Sequence, residues 1–218
     1  AWFDYDLDTE WDLYIVNDHA FAPTPNRLYR GIGDLTFDWV SEGDPILEHN
    51  HSDYGLATGD FDRDGDLDLA IATTGSSTQP GFQILENQNE SGHFIGFELE
   101  GTASNRSAIG ARVEVHFDGK TRMDEINCGQ GYSGASSFIV HFGLGEAMEV
   151  DSMNIRWPSG VISAHGAFSA DSVYQILEPG SQPWFELGCT ESFACNYNIA
   201  AQTNDNSCFY PEAGLDCN

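Results

Sequence analysis

Gly59-Asp60-Phe61-Asp62-Arg63-Asp64-Gly65-Asp66-Leu67-Asp68, running into Leu69-Ala70-Ile71-Ala72, is the stretch that decides how this chain folds. Acids stand at every second position from Asp60, Gly65 permits a sharp turn, and Asp68 closes the loop. Carboxylates packed this densely repel one another unless a cation sits among them. Hard oxygen donors in such number suit Ca²⁺, which takes about 6–8 oxygens. A helix–loop–helix calcium loop would need a bidentate Glu at its twelfth position, and here that residue is Ile71. The run after the loop is strand-like, so the loop feeds a β-strand.

The device occurs twice. Asp4, Asp6, Asp8, Glu10 and Asp12 match Asp60, Asp62, Asp64, Asp66 and Asp68 at a constant offset of 56 residues. Each copy continues into an apolar run (Leu13-Tyr14-Ile15-Val16; Leu69-Ala70-Ile71-Ala72). A turn-rich segment follows, then a second short strand (Asn26–Arg30; Phe82–Glu86). Repeats of this length with several strands each point to propeller blades or stacked arrays.

The loops, with Asn26-Arg27-Leu28-Tyr29-Arg30 and Gly33-Asp34-Leu35-Thr36-Phe37, resemble FG-GAP/VCBS repeats, the calcium-loop blades of extracellular β-propellers. The resemblance implies two Ca²⁺ ions. Their side-chain ligands would be Asp4, Asp6, Asp8 and Asp12 in one loop and Asp60, Asp62, Asp64 and Asp68 in the other, with backbone carbonyls at Glu10 and Asp66. Thr9 stands where the family usually has Gly, so the first site is expected to be the weaker one.

Eight basic residues against 35 acidic ones give a net charge of −27. No basic patch is available to neutralise phosphates, which argues against a nucleic-acid partner. The same charge argues against an anionic membrane surface, and no window has the apolar length of a membrane span. A hydrophobic content of 40% and an aromatic content of 12% argue against a disordered acidic tail. Ala1 begins inside a repeat without a Met, as expected of a processed or truncated piece of a longer protein.

His49-Asn50-His51-Ser52-Asp53 resembles the start of an HxHxDH metal-hydrolase motif, but Tyr54 replaces the final His. No second ligand cluster follows, so a polar inter-blade loop is expected there. Gly131-Tyr132-Ser133-Gly134-Ala135 fails as a nucleophile elbow at its last position, and no HExxH or phosphate loop occurs. A non-catalytic protein is the expectation.

From His93 onward the strands lengthen and alternate: Phe94–Leu99, Ala111–Phe117, Phe138–Phe142 and Met153–Trp157. Period-two alternation predicts an antiparallel β-domain with one buried face. Asp118-Gly119 is a hairpin signal between two such runs. Gly101–Val113, Gly129–Ser133, His141–Gly145 and Ile155–Gly160, in that order, resemble the ASPIC/UnbV domain over about 94–179. That domain follows FG-GAP/VCBS repeats in the cartilage acidic protein family. Of its motif residues, Asn105, Arg106, Arg112, His141, Arg156 and Trp157 form a candidate binding surface. In the alternative, glycines and Asn105 make turns and the arginines pair with acids.

Beyond the linker Pro179–Pro183 lies a segment with Cys189, Cys195, Cys208 and Cys217, similar to Cys-rich repeats at the ends of secreted marine Bacteroidetes proteins. Such a segment is too small to bury a core, which favours two disulfides of unspecified pairing. The spacings lack the CxxC pairs of a zinc ribbon. Cys128 is left over and is expected to be a buried free thiol.

The expected fold is all-β: two FG-GAP/VCBS propeller-type blades (1–92), an antiparallel β-sandwich-like ASPIC/UnbV domain (93–180), and a linker with a small disulfide-rich tail (181–218). The expected function is a secreted or cell-surface calcium-binding module for adhesion, display or assembly, a filament or sheath subunit included. The alternative is an accessory binding domain of a secreted polysaccharide-degrading enzyme. Expected partners are calcium, carbohydrate or another extracellular protein. Two blades fall short of the roughly four to eight that close a propeller, so self-assembly through open sheet edges is a further expectation.

Overall fold

The computed structural model describes residues 1–18, 25–40, 52–74, 81–89, 91–129, 131–132, 134–180, 187–188, 191–192, 194–195, 203–204 and 208–210. Among these the chain is all-β, with no α-helix and no closed propeller. The first repeat is a four-stranded antiparallel meander of β1 (Trp2–Phe3), β2 (Asp12–Ile15), β3 (Arg27–Gly31) and β4 (Phe37–Trp39). The second is a three-stranded one of β5 (Asp53–Gly59), β6 (Asp68–Thr73) and β7 (Phe82–Leu85). Phe3, Tyr14, Leu28, Leu56, Leu69 and Ile71 alternate inward from both repeats and form one shared core. Fifty-six residues beyond Phe37 the chain has already entered β8 (His93–Glu100), so the second repeat gives its fourth-strand position to the next domain.

That domain continues through β9 (Arg112–Phe117), β10 (Lys120–Glu125), β11 (Val140–Gly145), β12 (Glu149–Val150), β13 (Ser152–Arg156), β14 (Ile162–His165), β15 (Phe168–Ser169) and β16 (Ser172–Leu177). One sheet runs β10-β9-β13-β14, a second runs β11-β8-β16, and β12 pairs with β15. Asp118-Gly119 joins β9 to β10 as a tight hairpin, with Phe117 opposite Lys120. Period-two residues of both larger sheets, among them Phe97, Val115, Phe142 and Ile155, interleave in a single buried core. The expected sandwich forms, with one correction: β16 pairs parallel to β8. The last strand reaches β8 by a long return path, so its direction follows from chain connection and not from a local turn.

Trp157 belongs to this core. Its ring is buried and its Nε1–H donates to Ser163 Oγ at 2.9 Å. Cys128 is a free cysteine but exposed, contrary to expectation, because Ile126 is the last buried residue before the chain leaves β10 for the surface. In the tail, β17 (Leu187–Gly188) and β18 (Thr203–Asn204) pair in parallel, and Cys195 N donates to Phe209 O at 2.9 Å. Cys195 and Cys208 each take part in a disulfide. Cys189 and Cys217 lie outside the described residues, as do His49 and His51. Asp53, next to that histidine pair, is buried in β5 and accepts Asn26 Nδ2 at 2.6 Å.

Candidate metal centres at the two aspartate loops

Each loop bridges the first and second strands of its repeat, and the backbone repeats with the sequence. Leu7 and Thr9 have φ of +58° and +81°, and their counterparts Arg63 and Gly65 have +68° and +105°. The closing acid acts alike in both. Asp12 accepts the N–H groups of Tyr5 (2.8 Å) and Gly31 (2.7 Å), and Asp68 accepts those of Phe61 and Asn87 (both 2.8 Å). Each closing acid thereby ties its loop to the strand beyond, which is why the apolar run must follow directly.

One oxygen from each of Asp4, Asp6 and Asp8 lies within 4.8 Å of the others, and the same holds for Asp60, Asp62 and Asp68. Asp12 and Asp64 stand outside these two groups. Asp64 is exposed and accepts Asp66 N at 3.2 Å. The Glu10 side chain is turned to Arg122, at 2.8 Å. Asp66 is buried, with one oxygen on Asn89 N and the other without a hydrogen-bond partner among the described residues. Asp6 Oδ1 is likewise buried and unpartnered.

The electrostatics match this crowding. Burial, joined by the charges of Asp12, Asp8 and Asp6, pushes Asp4 up to about 8 against the opposing N–H of Thr9. Burial also lifts Asp12 and Asp66 to about 7, and raises Asp6 and Asp60. Buried acceptors with no donor and carboxyls held above their usual range are what a hard cation would relieve. The donor sets therefore fit Ca²⁺ at both loops.

The loops differ in their own counter-charge. Arg30 binds Asp6 (2.6 Å) and Asp8 (2.8 Å), and the equivalent position in the second repeat is Glu86. They also dock differently on the C-terminal domain. Thr9 holds a left-handed conformation that strains a β-branched residue. Its hydroxyl accepts Lys120 Nζ at 3.0 Å and its carbonyl accepts Arg122 Nε at 2.6 Å, contacts that offset the strain. At the matching position Gly65 has no room for a side chain: a Cβ would sit 2.1 Å from the Phe94 ring. His141 Nε2 meets the Gly65 carbonyl at 2.8 Å and its ring stacks on Phe94. Gly145 N donates to Leu7 O at 2.9 Å. Both loops thus face the second domain directly. Sequence reasoning missed Arg30, Lys120 and Arg122, although three cations among only eight were a signal.

The proposed binding-surface residues do not assemble into one site. Asn105 bonds Ile109 through both its amide atoms, Arg106 pairs with Glu100 (3.3 Å), and Arg112 pairs with Glu125 (2.6 Å). Arg156 is exposed opposite Arg112, His141 lies at the second loop, and Trp157 is core.

Family models match in the same order as these units. That for an FG-GAP-like repeat covers 4–71, that for the FG-GAP repeat covers 53–90, and that for ASPIC and UnbV covers 101–183. The chain is 29% identical over 208 residues to Cartilage acidic protein 1 of Mus musculus, covering 92% of this chain and 31% of that protein. It is 28% identical over 206 residues to Cartilage acidic protein 1 of Homo sapiens, covering 89% and 31%. The Xenopus tropicalis protein of that name is 26% identical over 220 residues, covering 95% and 33%. The chain therefore spans about a third of the length of these curated relatives.

Proposed function

Since the chain carries FG-GAP repeats followed by an ASPIC/UnbV domain, we propose that it is an extracellular, non-catalytic calcium-binding module serving adhesion, display or assembly. One observation carries the reading: each loop brings three carboxylate oxygens within 4.8 Å of one another, from Asp4, Asp6 and Asp8 and from Asp60, Asp62 and Asp68, and each loop also holds a buried carboxylate oxygen without a hydrogen-bond partner among the described residues, on Asp6 and on Asp66. Asp4, Asp6 and Asp8 would hold one ion, and Asp60, Asp62 and Asp68 the other. The ion supplies the positive charge that lets the loop acids ionise together. The chain's own residues do the rest, with Asp12 and Asp68 closing the loops and Arg122, Lys120 and His141 docking them. Relatives named for cartilage support an extracellular setting.

Calorimetric titration tests the metal half. Two calcium ions per chain are expected, with protons released near pH 7 because Asp4, Asp12 and Asp66 hold them without metal. Release should fade above about pH 9, where these acids are already ionised. No binding at millimolar calcium overturns the proposal. Beads coated with the chain should cluster in calcium and disperse in EDTA; calcium binding without clustering removes the adhesive half.

The two affinities should also differ. Arg30 already occupies Asp6 and Asp8, so loop one is the weaker site. Arg30→Gln removes this competing cation and should tighten that site by up to about fivefold. A titration against a chromophoric chelator reads this, and an unchanged or weakened site would remove Arg30 from the account.

A further inference from the structure

A cleft of about 910 Å³ separates the first blade from the C-terminal domain. This lies within the roughly 300–1,000 Å³ of small-molecule sites and exceeds what a bare ion needs. Its blade wall is aromatic. Trp2 and Phe37 meet with ring centroids 5.7 Å apart at 55°, both partly exposed, and Trp11 also lines the cleft. Aromatic faces of this kind pack well against an apolar or aromatic body.

The opposite wall offers acceptors. Asp124 lines the cleft and accepts the Glu125 N–H at 2.7 Å. No basic group among the described residues pairs with Asp124, and burial raises its carboxyl above the usual range. Glu125, by contrast, is already taken by Arg112 at 2.6 Å. Among the described lining residues there is no Lys or Arg. An anionic ligand would find no partner there, and a neutral one would leave Asp124 uncompensated.

We propose that this cleft binds a small organic ammonium ion carried on an apolar or aromatic body. The ammonium donates to Asp124, and the body lies against Trp2, Trp11 and Phe37. Asp4, assigned above to calcium, also lines the cleft, so the test is run at saturating calcium, which takes that carboxylate out of play.

The experiment is titration of the full chain with phenethylammonium, its neutral analogue phenethyl alcohol and its anionic analogue 3-phenylpropanoate, followed by calorimetry and tryptophan fluorescence. Phenethylammonium should bind at least about tenfold tighter than either analogue. Asp124→Asn, and separately Trp2→Ala at an exposed position, should each weaken it by about tenfold while leaving the thermal melt unchanged. Equal binding of the three probes, no binding of the amine, or indifference to both substitutions overturns the proposal. Binding of a neutral oligosaccharide or of tetralysine without a phenethylammonium response also overturns it, assigning the cleft to carbohydrate or to a protein partner.

Discussion

Removing calcium with EDTA is expected to lower the melting temperature by roughly 5–10 °C for each site emptied. A ligand at 100 times its dissociation constant stabilises by about 2.7 kcal/mol, and a chain of this size shifts by about 2–4 °C per kcal/mol. The loss should be cooperative across both domains, because the loops are docked and not free. Leu7 O is held by Gly145, Thr9 and Glu10 by Arg122, and Gly65 by His141. The sign of the pH dependence is set by Asp4, Asp12 and Asp66, whose folded values of about 8, 7 and 7 lie above the ordinary 3.8. The folded, metal-free chain therefore holds protons that the unfolded chain releases, and its stability falls as pH rises from about 4 to about 8. In EDTA the chain should melt higher at pH 5.5 than at pH 8.5, and calcium should narrow that gap. Melts that coincide with and without calcium would sink the assignment.

The second large effect is expected at Glu178, which no sequence motif singled out. Its side chain is 1% exposed. It accepts the successive N–H groups of Thr102, Ala103 and Ser104 and the hydroxyls of Ser104 and Ser159. Burial works against the charge, but the hydrogen bonds from Ser159, Ser104 and Thr102 outweigh it and hold the carboxyl at about 2. Three consecutive amides aimed at one carboxylate form an anion nest. Gly101 allows the chain to enter it, since a Cβ there would lie 2.1 Å from Asn105 O. Glu178→Ala strands those donors at a cost of about 1–3 kcal/mol for each left unpaired. The net loss should reach about 3–5 kcal/mol in urea unfolding, with Glu178→Gln intermediate. Because the folded value is depressed, this stability is fully present above about 4.5 and is lost as pH falls toward about 2. A change below about 1 kcal/mol for the alanine variant would show that the nest is satisfied by water.

These examples explain why some features were legible in the sequence. The 56-residue repeat, the loop-to-strand handover and the Asp118-Gly119 hairpin are encoded in residues adjacent along the chain. Even the left-handed position shared by Thr9 and Gly65 could be anticipated, because a turn at a fixed offset imposes the same φ on whatever residue stands there. The motif Gly101-Thr102-Ala103-Ser104-Asn105 was legible as a pattern, but its purpose was not, since the group it serves lies more than seventy residues downstream at Glu178.

What local pattern specified was therefore the all-β class, the two loops, the strand alternation and the order of the units. The folded chain alone assigned the partners across long separations: Arg30 to loop one, Arg122 and His141 to the loop carbonyls, β16 parallel to β8, and Trp2 across a cleft from Asp124. The reason is physical. Periodicity states which face of a strand is buried, but not which of many acids a scarce cation meets. That choice depends on how two separately formed cores pack, and no spacing along the chain encodes it.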